Sequence, residues 1–358
     1  MADRFLFIDA RTRLVTAELA LVDSMSFTET LNSPGSWDAT IPLRQPEGSQ
    51  VTGTMLRSPR TIFAYERGEI LRWAGPILTY RADRSAGTIA LRGEGYLNYL
   101  RRRVLYQTRT HAAVDQLAIV EDLLDYAAAT AGDPGDLGID TTALSAITTV
   151  ARDRTFYGYE RKFIGTLIEQ LAAVRNGFDF RLTPRWSDGP NSEMVIGFDV
   201  TYPATGRTTG YVFDVGAAEI PFVDVDLSRI AYAVTATGLG TGEDTPASSQ
   251  NRFAMIAGEL LLEDVVSVGD VSESSTLTDY ALRRLDVGST PLVYPTVVLP
   301  AADLGTFIPG DQVSCIGEAG ALDDITGAYR IVEQKLSLPA EGAETLTLTL
   351  APLAAWSE

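Results

Sequence analysis

Residues 307–353, FIPGDQVSCIGEAGALDDITGAYRIVEQKLSLPAEGAETLTLTLAPL, have the same plan as residues 57–95, RSPRTIFAYERGEILRWAGPILTYRADRSAGTIALRGEG. Each stretch begins near a proline, Pro309 or Pro59, and enters an alternating strand. Each then turns through glycine, returns on an apolar strand, and closes on a second alternating run, TLTL or TIAL. Because period-two apolar spacing is typical of a half-buried strand, each stretch predicts a small antiparallel barrel. A duplication is one hypothesis, and two unrelated barrels are the other.

The composition predicts an ordinary globular protein with several domains. A chain of 358 residues exceeds what one hydrophobic core usually fills, and 45% hydrophobic residues supply sizeable cores. Cys315, the single cysteine, lies in an alternating strand. We expect it to be buried as a small hydrophobic residue, and it has no second cysteine in the chain with which to form a disulfide. The N-terminus MADRFLFIDARTRL lacks the apolar core of a signal peptide, and no run reaches the ~18 apolar residues of a membrane span. We therefore expect synthesis in the cytoplasm and no membrane span.

Charge is distributed unevenly along the chain. Residues 1–110 contain 15 arginines and 11 acidic residues, a net of +4, so the other 248 residues carry −22 of the total net charge of −18. Because affinity for a nucleic-acid backbone comes from Lys and Arg that displace counterions, this acidity argues against nucleic-acid binding as the function.

The pattern predicts a mainly β, α+β protein with a helix-containing middle region. We predict a first tube-like barrel over 1–107, a helix–strand region of two small subdomains over 108–225, and a second tube-like barrel with one helix over 226–358. Thr110 is the expected cap of a first helix that ends at Gly132. The other expected elements are a helix over 160–176, strands over 178–182, 194–202 and 233–238, a polar loop over 240–251, and a helix over 275–286 that ends before Gly288.

Catalytic chemistry has little support in the sequence. His111 is the only histidine, so a triad has one possible base and a site with two imidazoles is excluded. We expect His111, just after Thr110 at a helix start, to be a surface or interface residue. Cys315 has no helix start or basic neighbour to activate it. We predict no catalytic residue, no cofactor and no metal site.

Glycine and carboxylate patterns give no stronger signal. The glycines at 238, 240 and 242 follow a strand as a phosphate loop does, but Glu243-Asp244 and Pro246 replace the helix and lysine. The pairs Asp224/Asp226 and Asp323/Asp324 lack the further oxygen ligands that calcium sites show at loop spacing. We expect these four carboxylates to be solvated or to line a lumen.

Two groups of residues are candidates for an interface between subunits. Arg101, Arg102 and Arg103 form the one basic run, and either they end a strand in solvent or their guanidinium groups pair with carboxylates of a neighbouring subunit. Trp37 and Trp73 lie in alternating segments. This position favours a place in the barrel core, and a role as docking anchors for another subunit is the second interpretation.

Short motifs, in a fixed order, resemble a known family of phage proteins. The segments LNSPGSWDATIPL (31–43), RTIFAYERGEILRWAGPI (60–77) and GEGYLNYLRRRVL (93–105) resemble the opening of minor tail proteins that form the tail-tip hub of long-tailed bacteriophages. RDRTFYGYERKFIGTLIEQLAAVRNGFDFRL (152–182) is similar to the middle of those proteins. PGD, YRIVEQ and TLTLTLAP resemble their terminal hub barrel.

The resemblance implies a structural virion protein. It implies a homotrimer on the tail axis, in which two tube-like barrels per subunit give six similar units to match a sixfold tube. Its expected partners are the distal tail adaptor, the tape measure protein and other tail-tip proteins, with DNA passing through without specific binding. Because the chain ends at residues 356–358, just past the final strand, we expect no lytic or receptor-binding extension. The alternatives are the distal tail adaptor, which usually forms a sixfold ring with one tube-like domain, and a carbohydrate- or receptor-binding β module.

Overall fold

The computed structural model confirms a mainly β protein, with 48% strand and 19% helix. It describes residues 3–46, 48–56, 60–129, 138–174, 176–204, 206–256, 258, 260–269, 271–288, 291–319 and 323–353, and not the side chains of 54, 318, 319, 323 and 324. Pro59, Gly132 and the chain end at 356–358 lie outside the described residues.

The elements follow each other as strands interrupted by five helices in the described ranges. The helices are α1 (Gly53–Leu56), α2 (Leu97–Leu100), α3 (Gln116–Ala129), α4 (Ile164–Ala172) and α5 (Ser274–Gly288). The strands up to the middle of the chain are β1 (Asp3–Asp9), β2 (Val15–Leu19), β3 (Ser24–Thr30), β4 (Ser36–Pro42), β5 (Thr61–Arg67), β6 (Ile70–Asp83), β7 (Thr88–Glu94), β8 (Arg109–Asp115), β9 (Ile139–Asp140), β10 (Ala151–Phe156), β11 (Asp179–Trp186) and β12 (Met194–Thr201). Those that follow are β13 (Thr208–Asp214), β14 (Glu219–Asp226), β15 (Ala233–Thr237), β16 (Ala247–Asn251), β17 (Glu263–Ser267), β18 (Leu292–Pro300), β19 (Gln312–Ile316), β20 (Glu318–Ala319), β21 (Asp323–Asp324), β22 (Gly327–Leu338) and β23 (Thr345–Pro352).

Thirteen strands join in one sheet that contains both repeated stretches. Its main order is β14-β18-β23-β22-β3-β4-β7-β6-β5-β1-β2, and β19 branches from β22 to reach β13. The N-terminal strand group, β1–β7, and the C-terminal strand group, β13, β14, β18, β19, β22 and β23, are joined because β3 pairs antiparallel with the second half of β22. β13 and β14 lie within the C-terminal strand group, although all of their residues except 226 precede the predicted start of the second barrel at 226. The division of the chain into the three predicted domains stays a prediction.

The two strand groups share one strand order. The N-terminal strand group runs β3-β4-β7-β6-β5-β1, and the C-terminal strand group runs β14-β18-β23-β22-β19-β13. They differ at the end, where β1 pairs antiparallel with β5 but β13 pairs parallel with β19, and β2 is extra. The strand pairing does not close into a barrel within the described residues. One reason is that the edge of β3 is taken by the other strand group, so it is not available for closure within its own.

One hydrophobic core runs through both strand groups. Alternating residues of β3, β4 and β7 meet those of β22 and β23 in a single cluster whose buried members include Phe27, Trp37, Leu91, Leu336 and Leu348. This is the period-two pattern of the repeated stretches, buried on one face. The shared core means that the two strand groups stabilise each other.

The middle region has its own core around α3 and α4. The first predicted helix forms as α3, and its Leu117, Val120, Leu123 and Leu124 are all buried in this core. The predicted helix start is wrong: Thr110 lies in β8, and the helix begins at Gln116. The Asp115 carboxylate accepts the Leu117 amide at 2.9 Å, which is the bond of an N-cap.

Other predicted elements are shorter or different. The helix expected over 160–176 is α4, Ile164–Ala172, preceded by a single 3₁₀ turn and by Arg161 in the left-handed region. The polar loop expected over 240–251 ends in a strand, β16, which pairs with β15. The strands β11, β12 and β15 and the helix α5 confirm the elements predicted there. None of the described helices combines the length and the apolarity that a membrane crossing needs.

Candidate assembly surfaces

The predicted interface tryptophans lie inside the protein. Trp37 and Trp73 are 2% and 5% exposed, and they stack on Phe63 at 4.6 Å and on Phe27 at 5.2 Å between ring centroids. This placement agrees with the interpretation of both as core residues. Neither ring presents a surface on which another subunit docks, so the interpretation as docking anchors has no support from burial.

The basic run follows the one-turn helix α2 rather than a strand. Arg101 donates to Glu169 of α4 at 2.8 Å, and Arg103 donates to the Ala127 carbonyl at 2.9 Å. Arg102 is exposed, and the described residues supply no carboxylate partner for it. Only Arg102 of the three is therefore positioned to meet the carboxylate of a neighbouring subunit without first breaking a contact within the chain.

The carboxylates Asp224 and Asp226 lie two residues apart on β14, as expected. Asp224 is exposed, whereas Asp226 accepts the hydroxyl and the amide of Ser228 at 2.6 and 2.8 Å. These hydrogen bonds hold the pKa of Asp226 below its usual range, so it stays ionised. The backbone of Asp323 and Asp324 forms β21, but their side chains lie outside the described residues.

His111 and Cys315 are both covered by the fold. His111 lies on β8 and not at a helix start, its side chain is 11% exposed, and its Nε2 is 3.4 Å from Asp122 Oδ2. Burial lowers the pKa of the imidazole, although the Asp122 carboxylate opposes this effect. The expected position at a helix start is therefore wrong and the side chain is largely covered, whereas a place at a subunit interface stays a prediction. Cys315 is fully buried, as predicted, and burial raises the pKa of its thiol to about 12.

Open strand edges are the first surface that the sequence did not indicate. β14 and β2 end the main order of the large sheet, and each pairs on one side only within the described residues. The C-terminal half of β6, residues 79–83, pairs with β7 and is exposed along its length. Exposed edges bind other strands readily, so proteins usually cover or block them.

Tyrosine and arginine form a second exposed surface near the basic run. The Arg161 guanidinium lies 4.9 Å from the Tyr106 ring centre, and the rings of Tyr157 and Tyr159 are 5.1 Å apart. Tyr106 and Tyr159 are among the most exposed large residues described. Tyrosine and arginine are enriched at the centres of protein interfaces.

A third surface is apolar and lies between β16 and β17. Phe253, Leu260, Leu261 and Leu262 are exposed in the segment that connects these two strands along the chain, and Val265 of β17 is exposed as well. Monomeric proteins ordinarily expose apolar patches of up to about 600 Å². These exposed residues alone therefore assign no partner.

A charged cleft separates β11 and β12 from the C-terminal strand group. It has a volume of about 200 Å³ and is lined by Asp179, Arg181, Asp199, Arg207 and Asp311. Each of these charges has an opposite charge nearby: Arg207 is 2.6 Å from Asp311, Arg181 is 4.0 Å from Asp199, and Asp179 pairs with Arg330. The paired charges make the cleft a junction between parts of the chain rather than a ligand site.

Comparison with solved structures gives agreement over almost the whole chain. The 43 kDa tail protein of prophage MuSo2 from Shewanella oneidensis matches with a TM-score of 0.66 at 10% identity, covering 99% of this chain and 100% of that one. The tail protein from Neisseria meningitidis MC58 matches with a TM-score of 0.61 at 14% identity, over 99% and 98% of the two chains. Prophage tail protein gp18 from Listeria monocytogenes EGD-e matches with a TM-score of 0.55 at 15% identity, over 97% and 94%.

This chain has the fold of these prophage tail proteins. The resemblance in the order of short motifs is thereby confirmed at the level of structure. No protein-family model and no curated protein matches the sequence. Since the identities are 10 to 15%, the likeness lies in the fold and not in conserved side chains.

Proposed function

We propose that this chain is a structural component of a bacteriophage tail tip, in which three copies form a hub around the tail axis. The observation that carries the proposal is the agreement of fold, from end to end, with three prophage tail proteins. The repeated strand order supports the stoichiometry. Two like strand groups per chain give six in a trimer, which suits a tube of sixfold symmetry.

The ring would close through head-to-tail contacts. Contacts between different surfaces of identical subunits generate rings when the rotation closes. The open edges of β14 and of residues 79–83 of β6 belong to different strand groups, so an N-terminal strand group of one copy can meet a C-terminal strand group of the next. Arg102 and the exposed tyrosine–arginine surface are further places for contacts with the distal tail adaptor, the tape measure protein or other tail-tip proteins.

The channel of this hub would be acidic. Asp224 and Asp226 on β14, and Asp323 and Asp324 on β21, are the proposed lining residues. Ionised carboxylates repel phosphates over a Debye length of ~8 Å at physiological salt, so DNA would pass without adhering. The hydrogen bonds that lower the pKa of Asp226 support a charge that persists at neutral pH.

The proposal includes no enzymatic step. His111, the only histidine of the chain, is covered and contacts Asp122. A hydrolytic triad needs a nucleophile within hydrogen-bond reach of the histidine. The buried thiol of Cys315 does not meet this need, because it lies on β19 in the core of the two strand groups, whereas His111 lies on β8 of the middle region. A His111→Ala protein that loses a cell-wall-degrading activity present in the wild type would contradict this part.

Labelling of the intact particle tests the location. An antibody or gold label on this chain should decorate the tail tip, at the end remote from the capsid, in negatively stained particles. Label on the capsid, on the tube wall or on free protein alone would contradict the proposal. A carbohydrate-binding module predicts instead a monomer that binds sugars in isolation.

A further inference from the structure

The two strand groups can be aligned residue by residue through a shared β-bulge. In the N-terminal strand group Ile77 faces Gly93 and Thr79 faces Arg92, so one residue of β6 is extra. In the C-terminal strand group Ile331 faces Leu350 and Glu333 faces Thr349, so one residue of β22 is extra in the same way. The bulges fix the alignment because a bulge occupies a defined place in a ladder. Residues 79–83 of β6 therefore correspond to residues 333–337 of β22.

The same alignment extends across the sheet to β3 and β14. Ser26 faces Asp38, which faces Arg92. In the C-terminal strand group Phe222 faces Thr296, which faces Thr349. Since Arg92 and Thr349 are equivalent at the bulge, residues 26–30 of β3 correspond to residues 222–226 of β14.

The alignment exposes one junction that exists in one strand group only. The second half of β22 pairs with β3, in a register that sets Lys335 opposite Thr28 and Leu336 opposite Phe27. The equivalent half of β6 is exposed, and the outer edge of β14, the strand equivalent to β3, is open among the described residues. The chain thus carries both halves of a second junction but does not join them to each other.

We propose that β14 of one copy pairs antiparallel with residues 79–83 of β6 in the next copy, in the register of the β3–β22 junction. This inference rests on the proposed ring, and it names the contact that closes it. The opposed pairs are Thr79 with Asp226, Tyr80 with Val225, Arg81 with Asp224, Ala82 with Val223, and Asp83 with Phe222. In the ring, the β3–β22 junction within a chain alternates with the β14–β6 junction between chains.

The three central pairs of this register are complementary, although the register was set by backbone pairing alone. Arg81 and Asp224 are both exposed, and the register places them directly opposite each other on the face of the sheet that points away from the hydrophobic core. Opposite charges at directly opposed positions of an antiparallel pair are stabilising. On the other face Tyr80 and Val225, which are 40% and 43% exposed in the single chain, would cover each other. A one-residue slip would move every one of these side chains to the wrong face.

Cross-linking of two variants, each with one added cysteine, tests the contact between copies. Arg81→Cys and Asp224→Cys are purified separately, mixed at the highest soluble concentration, and oxidised with oxidised glutathione. Directly opposed residues of an antiparallel pair lie within disulfide reach, and mixing two variants excludes a link within one chain. The control mixture pairs Arg81→Cys with Asp188→Cys, whose side chain is exposed in the turn between β11 and β12. The buried Cys315 stays unreactive in both mixtures.

The expected result is a cross-linked dimer in the first mixture, at a yield at least about tenfold above the control. Two cysteines that are held opposite each other form a disulfide more often than two that meet by random collision. Equal yields in the two mixtures overturn the proposed junction. The outcome is separable from the proposed function. A tail tip with three copies but no Arg81–Asp224 link refutes the junction and leaves the hub standing. A specific link in a protein that is absent from tail tips refutes the hub and leaves the junction.

Discussion

Arg330 and Asp179 form an ion pair that is buried on both sides, with side-chain exposures of 0% and 4%. Arg330 lies on β22, and Asp179 begins β11, so the pair ties the C-terminal strand group to the middle region. Arg330 also donates to the carbonyls of Ala204 at 2.8 Å and Gly310 at 3.2 Å, and Asn32 of the N-terminal strand group donates to Asp179 at 2.9 Å. Three parts of the chain therefore meet at one charged cluster.

Removal of one partner of this cluster should be costly. Asp179→Asn leaves the Arg330 guanidinium buried without its counter-charge, which typically costs about 3 to 5 kcal/mol. We expect a loss of that size in the free energy of unfolding, measured by urea denaturation. Glu193→Gln is the matched control, because it breaks the half-exposed pair with Arg13 and should cost less than about 1 kcal/mol. Equal costs for the two variants would contradict the cluster's role.

The pH dependence of stability should contain a contribution from His111. Burial lowers the pKa of this imidazole in the folded protein, so the unfolded chain binds a proton more readily. The free energy of unfolding should therefore fall as the pH drops below about 6.5, the usual histidine value, until the lower folded pKa is reached. His111→Gln removes the titration, so its unfolding free energy should change less between pH 7 and pH 5 than that of the wild type. Asp122 and Arg109, which face the ring, stay in place in both proteins.

Charge reversal should weaken and then restore association between copies. Arg81→Asp places two acidic groups opposite each other at the proposed junction, and Asp224→Arg places two basic groups there. Each single variant should raise the dissociation constant by about fivefold, since such cross-strand pairs contribute up to about 1 kcal/mol. The double variant should recover the wild-type constant in sedimentation equilibrium. Asp188→Arg, away from the junction, should leave the constant unchanged, and a double variant weaker than either single one would refute the pairing.

Cys315 should be chemically inert in the folded protein. Its side chain is fully buried and its pKa is raised to about 12, so the reactive thiolate is scarce at neutral pH. A thiol reagent should label the native chain negligibly over an hour and label one equivalent in denaturant. Fast labelling of the native chain would show that this strand of the C-terminal strand group opens.

Local pattern was enough to predict the strands but not their partners. The alternation around Trp37, Leu91 and Leu348 located the core faces, because a period of two in hydrophobicity reports burial of one face directly. The joining of β3 to β22 could not be predicted, since these strands are separated by about three hundred residues and no local signal encodes the pairing. Closed barrels were expected because the local pattern did not show that β3 pairs with β22 of the other strand group.

The contacts of the candidate interface residues could not be predicted from local sequence pattern either. Arg101 was predicted either to end a strand in solvent or to reach another subunit, but its partner Glu169 is in the same chain, 68 residues away. The helix cap was misplaced because Thr110 and Asp115 are both good caps, and only the β8–β10 pairing decides between them. Tyr80 and Arg81 were missed. An alignment of the two repeated stretches would have shown that Arg81 is equivalent to Lys335, which is also basic.

The copy number at the tail tip tests the central claim most directly. A reconstruction of the tip by electron cryomicroscopy, without imposed symmetry, should show three copies of this chain around the axis, with their six strand groups in one ring. Six copies would identify an adaptor ring instead. A single copy, or a position away from the axis, would contradict the account.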